Sequence, residues 1–565
     1  MKLRLNKLTV LLAGIVLFGS CKKDLDINKD PDRIPDSNSP IAQLLTSAQV
    51  NLGFDGGSDM FRYTTLIAQQ MSGYASQPNQ TYEYYRHNIT GSDQNNVWSS
   101  MNATTLGDLE LIIKQGAASP YYTGIAKILK AYQVAQMVDV WGDIPYSQAQ
   151  QLTGNTQPGY DDDATIYPKL NQLLIDAVNE LNATSSVLTP GNNSVIYTGN
   201  FTTVKSNWIK LANTLRLRLF LHYSKINPTF AVSNITSLVN ASGVTFFASN
   251  ADNFAMPFFD VANQRNPIAA FEVSRPNYLF ADQNMLNLMN ARLDPRRPYY
   301  FTSFPYQGIP LPITVSTAAA TAAGNVLTFA STTGIATNMV ISGVNIPYGT
   351  TATAVTATTV TLSNNVTGSG VASGAAIVAA PNSFTGVSAT APPAAPNNNY
   401  SRIHTYLRGN VTGGTAPPFV YSGAAPIRMM TFAEYNFIRA EAALMGAPGS
   451  AQAFFTAGIT ASMQDVGVNA NDIAGYLAQY GTLSGTTAQQ LQRIIEEKYI
   501  ATFGISTEPW SDWRRTGYPA LSVPVNSITG AIPRSLFYPQ SEIDLNPNNP
   551  GQKAANLQSR VFWDN

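Results

Sequence analysis

The stretch Pro120-Tyr121-Tyr122-Thr123-Gly124-Ile125-Ala126-Lys127-Ile128-Leu129-Lys130-Ala131-Tyr132 decides the fold. Ile125, Ile128, Leu129 and Tyr132 fall three or four residues apart, which puts them on one stripe of a helix. The pattern predicts a helix over 120–140. The same period returns over 165–181, with Ile166, Leu170, Leu173, Leu174 and Val178, and over 204–224, with Trp208, Leu211, Leu215 and Leu219. Upstream, 41–76 reads as two helices broken around 53–59, and 97–115 as another. Downstream, helical periodicity resumes over 431–445 and stops at Gly446, a residue that tolerates the left-handed turn ending a helix. Helices over 452–463 and 488–503 follow. Successive helices of similar length that each offer one apolar face bury it by stacking on neighbours, as in helix-pair repeats. The fold class is therefore mostly α, a tetratricopeptide-like helix-pair scaffold with loop-rich connections.

A second composition interrupts this scaffold. Between Arg297 and Arg402 there is no Lys, Arg, Asp, Glu or His. Over 313–380 the chain is nearly all Thr, Ala, Val, Gly, Ser and Asn, with β-branched or alternating runs at 325–330, 338–342, 351–363 and 375–379. Glycines at 334, 343, 349, 368 and 370 punctuate them. The segment reads as a small β module inserted in a loop, against the alternative of a disordered Ala/Thr-rich linker. Ala391-Pro392-Pro393-Ala394-Ala395-Pro396 reads as linker.

The N-terminus carries its own signal. Lys2, Arg4 and Lys7 precede an apolar run over 8–18, then Gly19-Ser20 and Cys21, the only cysteine in 565 residues. A basic start, a short apolar core and small residues before a cut site make a secretory signal peptide. A cysteine directly after the small pair makes it a bacterial lipoprotein signal, with Cys21 as the lipidated first residue. The chain thus divides into a signal peptide (1–20), a lipidated N-terminus and polar tether (21–40), a first helical part (41–312), the β insert (313–380) and the remainder (381–565). Beyond the signal no apolar run is long enough to span a bilayer. Several acyl chains make a durable anchor where one does not.

Composition narrows the chemistry. Net charge is zero and only 12% of residues are charged, which argues against nucleic acid. With 44% hydrophobic and 10% aromatic residues the chain is not disordered. His87, His222 and His404 show no zinc spacing, and no phosphate loop, dinucleotide loop or nucleophile elbow is present, so no metal or cofactor is expected. Asp161-Asp162-Asp163 reads as a helix N-terminal cap, with a calcium ion as the alternative. What remains is aromatic density. Tyr82, Tyr84 and Tyr85 precede a polar run, and Tyr278, Tyr299, Tyr300, Phe301, Phe304 and Tyr306 form a second group. The expectation is that Tyr84, Tyr85, Tyr300 and Tyr306 stack on ligand from loops, with Arg86, Asn88 and Gln264 supplying hydrogen bonds. The competing reading places these tyrosines in the core.

Several runs carry a family resemblance. They are Gly57-Ser58-Asp59-Met60-Phe61-Arg62-Tyr63, Asn88-Ile89-Thr90-Gly91-Ser92-Asp93, Tyr122-Thr123-Gly124-Ile125-Ala126-Lys127 and Asp139-Val140-Trp141-Gly142-Asp143-Ile144-Pro145-Tyr146. Ser249-Asn250-Ala251-Asp252-Asn253, Trp510-Ser511-Asp512-Trp513-Arg514-Arg515-Thr516-Gly517-Tyr518-Pro519 and Phe537-Tyr538-Pro539-Gln540-Ser541-Glu542 complete the set. With these runs the chain resembles the SusD/RagB-like family of nutrient-binding outer-membrane lipoproteins of Bacteroidetes, nearly end to end. The resemblance implies a tetratricopeptide-like scaffold, a variable ligand-binding face and a SusC-like TonB-dependent transporter as partner. It implies a non-enzymatic, surface-exposed protein that captures oligosaccharide or, alternatively, peptide. Lys22-Lys23-Asp24 resembles the surface-export signal of these lipoproteins. A surface glycosidase is the rival from another class, and no carboxylate spacing supports it. An adhesin acting through the insert is a third reading.

Overall fold

The structure, a computed structural model, describes residues 40–73, 79–151, 154–392 and 399–565. Cys21, the signal peptide, the tether up to residue 39 and most of the Pro/Ala linker lie outside the described residues.

The scaffold is built from α1 (Ile41–Gly57), α2 (Asp59–Ile67), α3 (Gly107–Gln115), α4 (Pro120–Trp141), α5 (Asp163–Leu181), α6 (Phe201–His222) and α7 (Pro228–Asn240). From α3 to α7 each helix packs against the next, and α1 lies against both α3 and α4. Pro120 opens α4, where its missing N–H costs nothing, and Gly142 closes it at φ +74°. α4 is buried nearly all round, because it sits between α1 and α3 on one side and α5 and α6 on the other. The chain then leaves the scaffold for almost two hundred residues. It returns as α8 (Phe432–Leu444), α9 (Ala451–Val466), α10 (Ala470–Tyr480), α11 (Thr487–Ala501) and α12 (Glu508–Thr516). α8 docks on α6 through Arg218, whose guanidinium donates two bonds of 2.8 Å to the Glu434 carboxylate.

Boundaries differ from the sequence reading where glycine and polar residues misled it. The break between α1 and α2 falls at Ser58, and Gly53, Gly56 and Gly57 lie inside α1. Their purpose is close approach. A Cβ on Gly57 would sit 2.7 Å from Ile427 and from Pro267, and one on Gly53 would sit 2.5 Å from Met256. The rod predicted over 97–115 begins earlier, at Gly91, and includes a π-helical segment, Ser100–Leu106. There the Ser100 and Thr105 hydroxyls both donate to the buried Asp55 carboxylate, at 2.5 and 2.8 Å. Burial pushes that carboxyl up to about 6. The wider turn lets two side chains five residues apart converge on one acceptor.

The insert is folded. Its strands are β1 (Ile313–Ser316), β2 (Val326–Thr328), β3 (Val340–Ser342), β4 (Ala352–Val355), β5 (Thr359–Leu362) and β6 (Ala376–Ala380). They form two antiparallel sheets, ordered β1-β6-β3 and β2-β5-β4. Single bridges Thr317↔Phe329 and Val340↔Thr351 join the sheets at both sides, closing the six strands into a ring. Leu327, Phe329, Met339, Ile341, Val360, Leu362 and Ile377 fill it with a core of its own. The linker alternative fails because alternate β-branched positions bury inward. Tyr348 seats the module on the body. Its hydroxyl donates to the carbonyls of Arg292 and Leu293, and its ring lies over Gly475 of α10. The two stems run side by side. Thr302 N–H donates to the Arg402 carbonyl, Phe304 N–H to that of Ser383, and the Gln307 side chain accepts from Asn382 and Ser383 N–H.

Candidate functional site

Opposite requirements act on the residues expected to bind ligand, and the structure resolves them one by one. Tyr84, Tyr85 and Tyr300 are 2%, 2% and 0% exposed. The expectation that they are loop-borne stacking platforms is corrected here, because their ring faces are covered. Tyr84 and Tyr85 lie on a short helix, Gln80–Tyr85, that starts where the Asn79 side chain accepts from Tyr82 N–H. Tyr84 packs edge-on against Tyr63, and the Tyr85 hydroxyl donates to Asp282 at 2.7 Å. Tyr300 lies between Tyr406 and Phe503, with ring centroids 4.7 and 4.9 Å away. Tyr306 is half-buried, edge-on to Phe419. Arg86 and Asn88 are brought together, both donating to one Glu83 carboxylate oxygen at 2.8 and 2.7 Å. Gln264 is exposed on a turn closed by its own carbonyl accepting from Phe259 N–H, and it does not join Arg86 and Asn88.

The face that does assemble draws on six segments. Met71 and Ser72 pair with Ala281 and Phe280. Ala281 N–H donates to the Ser401 carbonyl, and Val387 exchanges bonds with Ala281 and Gln283. Val525 N–H donates to Ala389, Ile528 N–H to Arg86, and Ser522 N–H to the Gln69 side chain. The half-buried rings on this frame are Tyr82, Tyr278 and Tyr400. Guanidiniums accompany them. Arg86 lies over Tyr82, Arg402 lies 5.0 Å above Phe280, against which Tyr400 packs edge-on, and Arg275 and Arg62 both cover Phe271 beside Tyr278. Sequence reasoning singled out Tyr82, Tyr278 and Arg86 but missed Tyr400, Arg402 and Arg275. These become neighbours only through pairings between distant segments, and no local periodicity signals them.

Chemically such an arrangement can serve recognition. Planar rings stack on the CH faces of sugars or on apolar side chains, and fixed guanidiniums donate to hydroxyls and carbonyls. Two acidic groups beneath it, Asp282 and Glu272, are 1% and 5% exposed. Burial pushes each carboxyl up to about 7, against the lowering effect of Tyr85 on the first and of Arg408 on the second. Both are covered by the protein, so they do not flank a cleft as a hydrolase pair must.

Elsewhere the family-like runs have structural roles. Asp162 caps α5 by accepting from Ala164 N–H at 3.0 Å, and Asp161 accepts from Tyr146 and Ser147 N–H. The Trp141 indole donates to the Phe537 carbonyl, and the Asp163 carboxylate accepts from Phe562 N–H, which fastens the C-terminal segment over the Gly142 turn. Arg515 pairs with Glu441 and Asp512, as its charge predicts. Arg514 differs: it is sandwiched between Trp510 and Trp563 at 3.9 and 4.6 Å and donates to the Arg534 carbonyl. Among the described residues no cluster of three or more His, Cys, Asp or Glu could hold a metal, and no helix is long and apolar enough to cross a membrane.

Comparison with known proteins bears on this architecture. The SusD-like family model, described as starch-binding associating with outer membrane, matches residues 32–342 and 355–539. No curated protein matches the sequence. Among solved structures, a chitin-binding SusD homolog from Flavobacterium johnsoniae is 20% identical, with TM-score 0.64 over 93% of this chain and 97% of its own. A SusD/RagB family protein from Bacteroides thetaiotaomicron is 18% identical, with TM-score 0.64 over 93% and 98%. A SusD homolog from Bacteroides fragilis is 21% identical, with TM-score 0.62 over 93% and 99%. At these identities the structural likeness establishes the fold.

Proposed function

Because the chain belongs to the SusD-like family of proteins associated with the outer membrane, we propose that it is a non-enzymatic binding protein that captures oligosaccharides at its loop face. In this reading acyl chains on Cys21 hold it at the cell surface, and it passes its cargo to a SusC-like TonB-dependent transporter. The observation that carries the ligand class is the convergence of Tyr82, Tyr278 and Tyr400 with Arg86, Arg275 and Arg402 on one frame. Rings and guanidiniums suit neutral polyhydroxyl chains. The zero net charge provides no long-range steering toward a strongly charged ligand. The chitin-binding relative makes chitooligosaccharides the first probe, with malto-oligosaccharides second.

Arg275 is exposed beside Phe271, an arrangement that also suits the carboxylate and side chains of a peptide. The deciding experiment is calorimetric titration of the mature chain against both glycan families and a peptide panel, with product release followed in the same samples. Saturable binding of a glycan without hydrolysis supports the reading. Binding of peptides alone replaces the ligand class, and hydrolysis removes the non-enzymatic assignment.

A further inference from the structure

A pocket of about 320 Å³ shares no lining residue with the loop face. That volume is at the lower end of small-molecule sites, about 300–1,000 Å³. It lies between the turn Thr405–Arg408, the residues Gly409, Asn410 and Ser422 that flank the hairpin Val411–Gly413 and Val420–Tyr421, the end of α9, and Leu311 on the stem of the insert.

Its polar centre is unusually fixed. Arg428 donates from Nε to Asp465 at 2.6 Å and from Nη1 to the Tyr406 carbonyl at 3.3 Å. Its guanidinium lies 3.9 Å from the centre of the Tyr406 ring. Asp465 is held in turn by the Tyr406 hydroxyl and the Asn253 amide, both at 3.2 Å. Nη2 of Arg428 has no partner among the described residues, and neither has the side-chain amide of Asn410, which is exposed at the same pocket. The half-buried ring of Tyr299 forms a wall, steadied by its hydroxyl donating to the Gly467 carbonyl.

This donor set selects a chemistry. Asp465 cancels the charge of Arg428, so the pocket does not favour an anion. The free Nη2 offers a donor at a fixed position beside an aromatic wall, and the exposed Asn410 amide adds a donor and an acceptor at the mouth, which fits hydroxyl and acetamido groups on a ring. We propose that this pocket is a second saccharide subsite, taking one or two neutral sugar units independently of the loop face. Its ligand class rests on the saccharide reading above. Its location rests on the geometry of Arg428, Asn410 and Tyr299 alone.

The test uses the full mature chain with N-acetylglucosamine and glucose as probes, read by saturation-transfer NMR, and chitooligosaccharides read by calorimetry. Asn410→Trp fills the mouth from an exposed position, and Arg428→Lys keeps the charge beside Asp465 but removes Nη2. Tyr278→Ala perturbs the loop face. The pocket predicts that the monosaccharides bind the Tyr278→Ala protein as they bind wild type. Adding Asn410→Trp should weaken that binding at least tenfold, and Arg428→Lys about tenfold, with unchanged circular dichroism. Monosaccharide binding that survives Asn410→Trp overturns the subsite, as does the absence of monosaccharide binding to wild type. Oligosaccharide binding lost in Asn410→Trp but untouched by Tyr278→Ala would instead overturn the loop-face reading and leave the pocket standing.

Discussion

Raising the pH from 6.5 to 9.5 should destabilise this protein through one histidine. His222 ends α6 fully buried. Burial alone would lower its pKa, but Asp139 and Glu508, 3.6 and 3.5 Å from its two nitrogens, outweigh that and raise it to about 9. The Tyr167 hydroxyl, which bonds both His222 and Asp139, completes its surroundings on the α5 side. A folded pKa above the unfolded one means that the folded state holds the proton more tightly. The stabilisation is therefore complete below pH 6.5 and disappears as pH rises through about 9. The gap between 6.5 and about 9 converts, at about 1.4 kcal/mol per pH unit, to about 3 kcal/mol. Urea unfolding followed by tryptophan fluorescence reads it, since the Trp563 ring lies 4.9 Å from His222. His222→Gln is the control. Lys553, which burial pushes down to about 7, also titrates in this window but does so in both proteins and cancels in the difference. Wild type should lose about 3 kcal/mol more than His222→Gln between the two pH values. Equal slopes in the two proteins would refute the reasoning and show His222 to be neutral in the fold.

Three further outcomes are expected. Glu434→Ala leaves the buried Arg218 guanidinium with Glu508, 3.5 Å away, as its remaining carboxylate beside the Met429 carbonyl, and should cost about 3–5 kcal/mol in the same unfolding assay. Tyr82→Ala and Tyr278→Ala should weaken ligand binding about twofold to tenfold, from about 0.5–1.5 kcal/mol per ring contact, and leave the melting temperature unchanged. Tyr300→Ala, by contrast, opens a core cavity and should cost about 3–5 kcal/mol in the unfolding assay. Cys21→Ser should shift the protein from the membrane fraction to the soluble fraction, and mass spectrometry of the native form should find an acylated N-terminal cysteine.

How much of this was legible in the chain depends on distance along it. The helices over 120–140, 165–181 and 204–224 were readable because a stripe every three or four residues is local information, and α4, α5 and α6 match it within a few residues. The insert was readable because charge disappears from it. Local pattern failed where burial is decided by a remote partner. Tyr85 reads like any loop tyrosine until Asp282, 197 positions on, receives its hydroxyl. Gly53 and Gly57 read as a break because sequence does not show that Met256, Pro267 and Ile427 press against them. The loop face fell between these cases. Its tyrosines were conspicuous, but which of them keep a ring edge in solvent follows from pairings such as Ser72 with Phe280.

The paired stems of the insert have a consequence for how such a chain can change. Because Thr302 and Phe304 are bonded to Arg402 and Ser383, the chain enters and leaves the module through one clamped doorway. Sequence can be added, lost or exchanged beyond that doorway with little effect on the helices behind it, since closing a longer loop costs only about 0.6 kcal/mol per doubling. The bridges at both sides of the ring reduce the open sheet edge that could recruit a neighbouring copy, a safeguard for molecules crowded together. Tyr348, which bonds Arg292 and Leu293 and rests on Gly475, is a further contact that any replacement module must renegotiate, which makes it a residue to watch when the module is swapped.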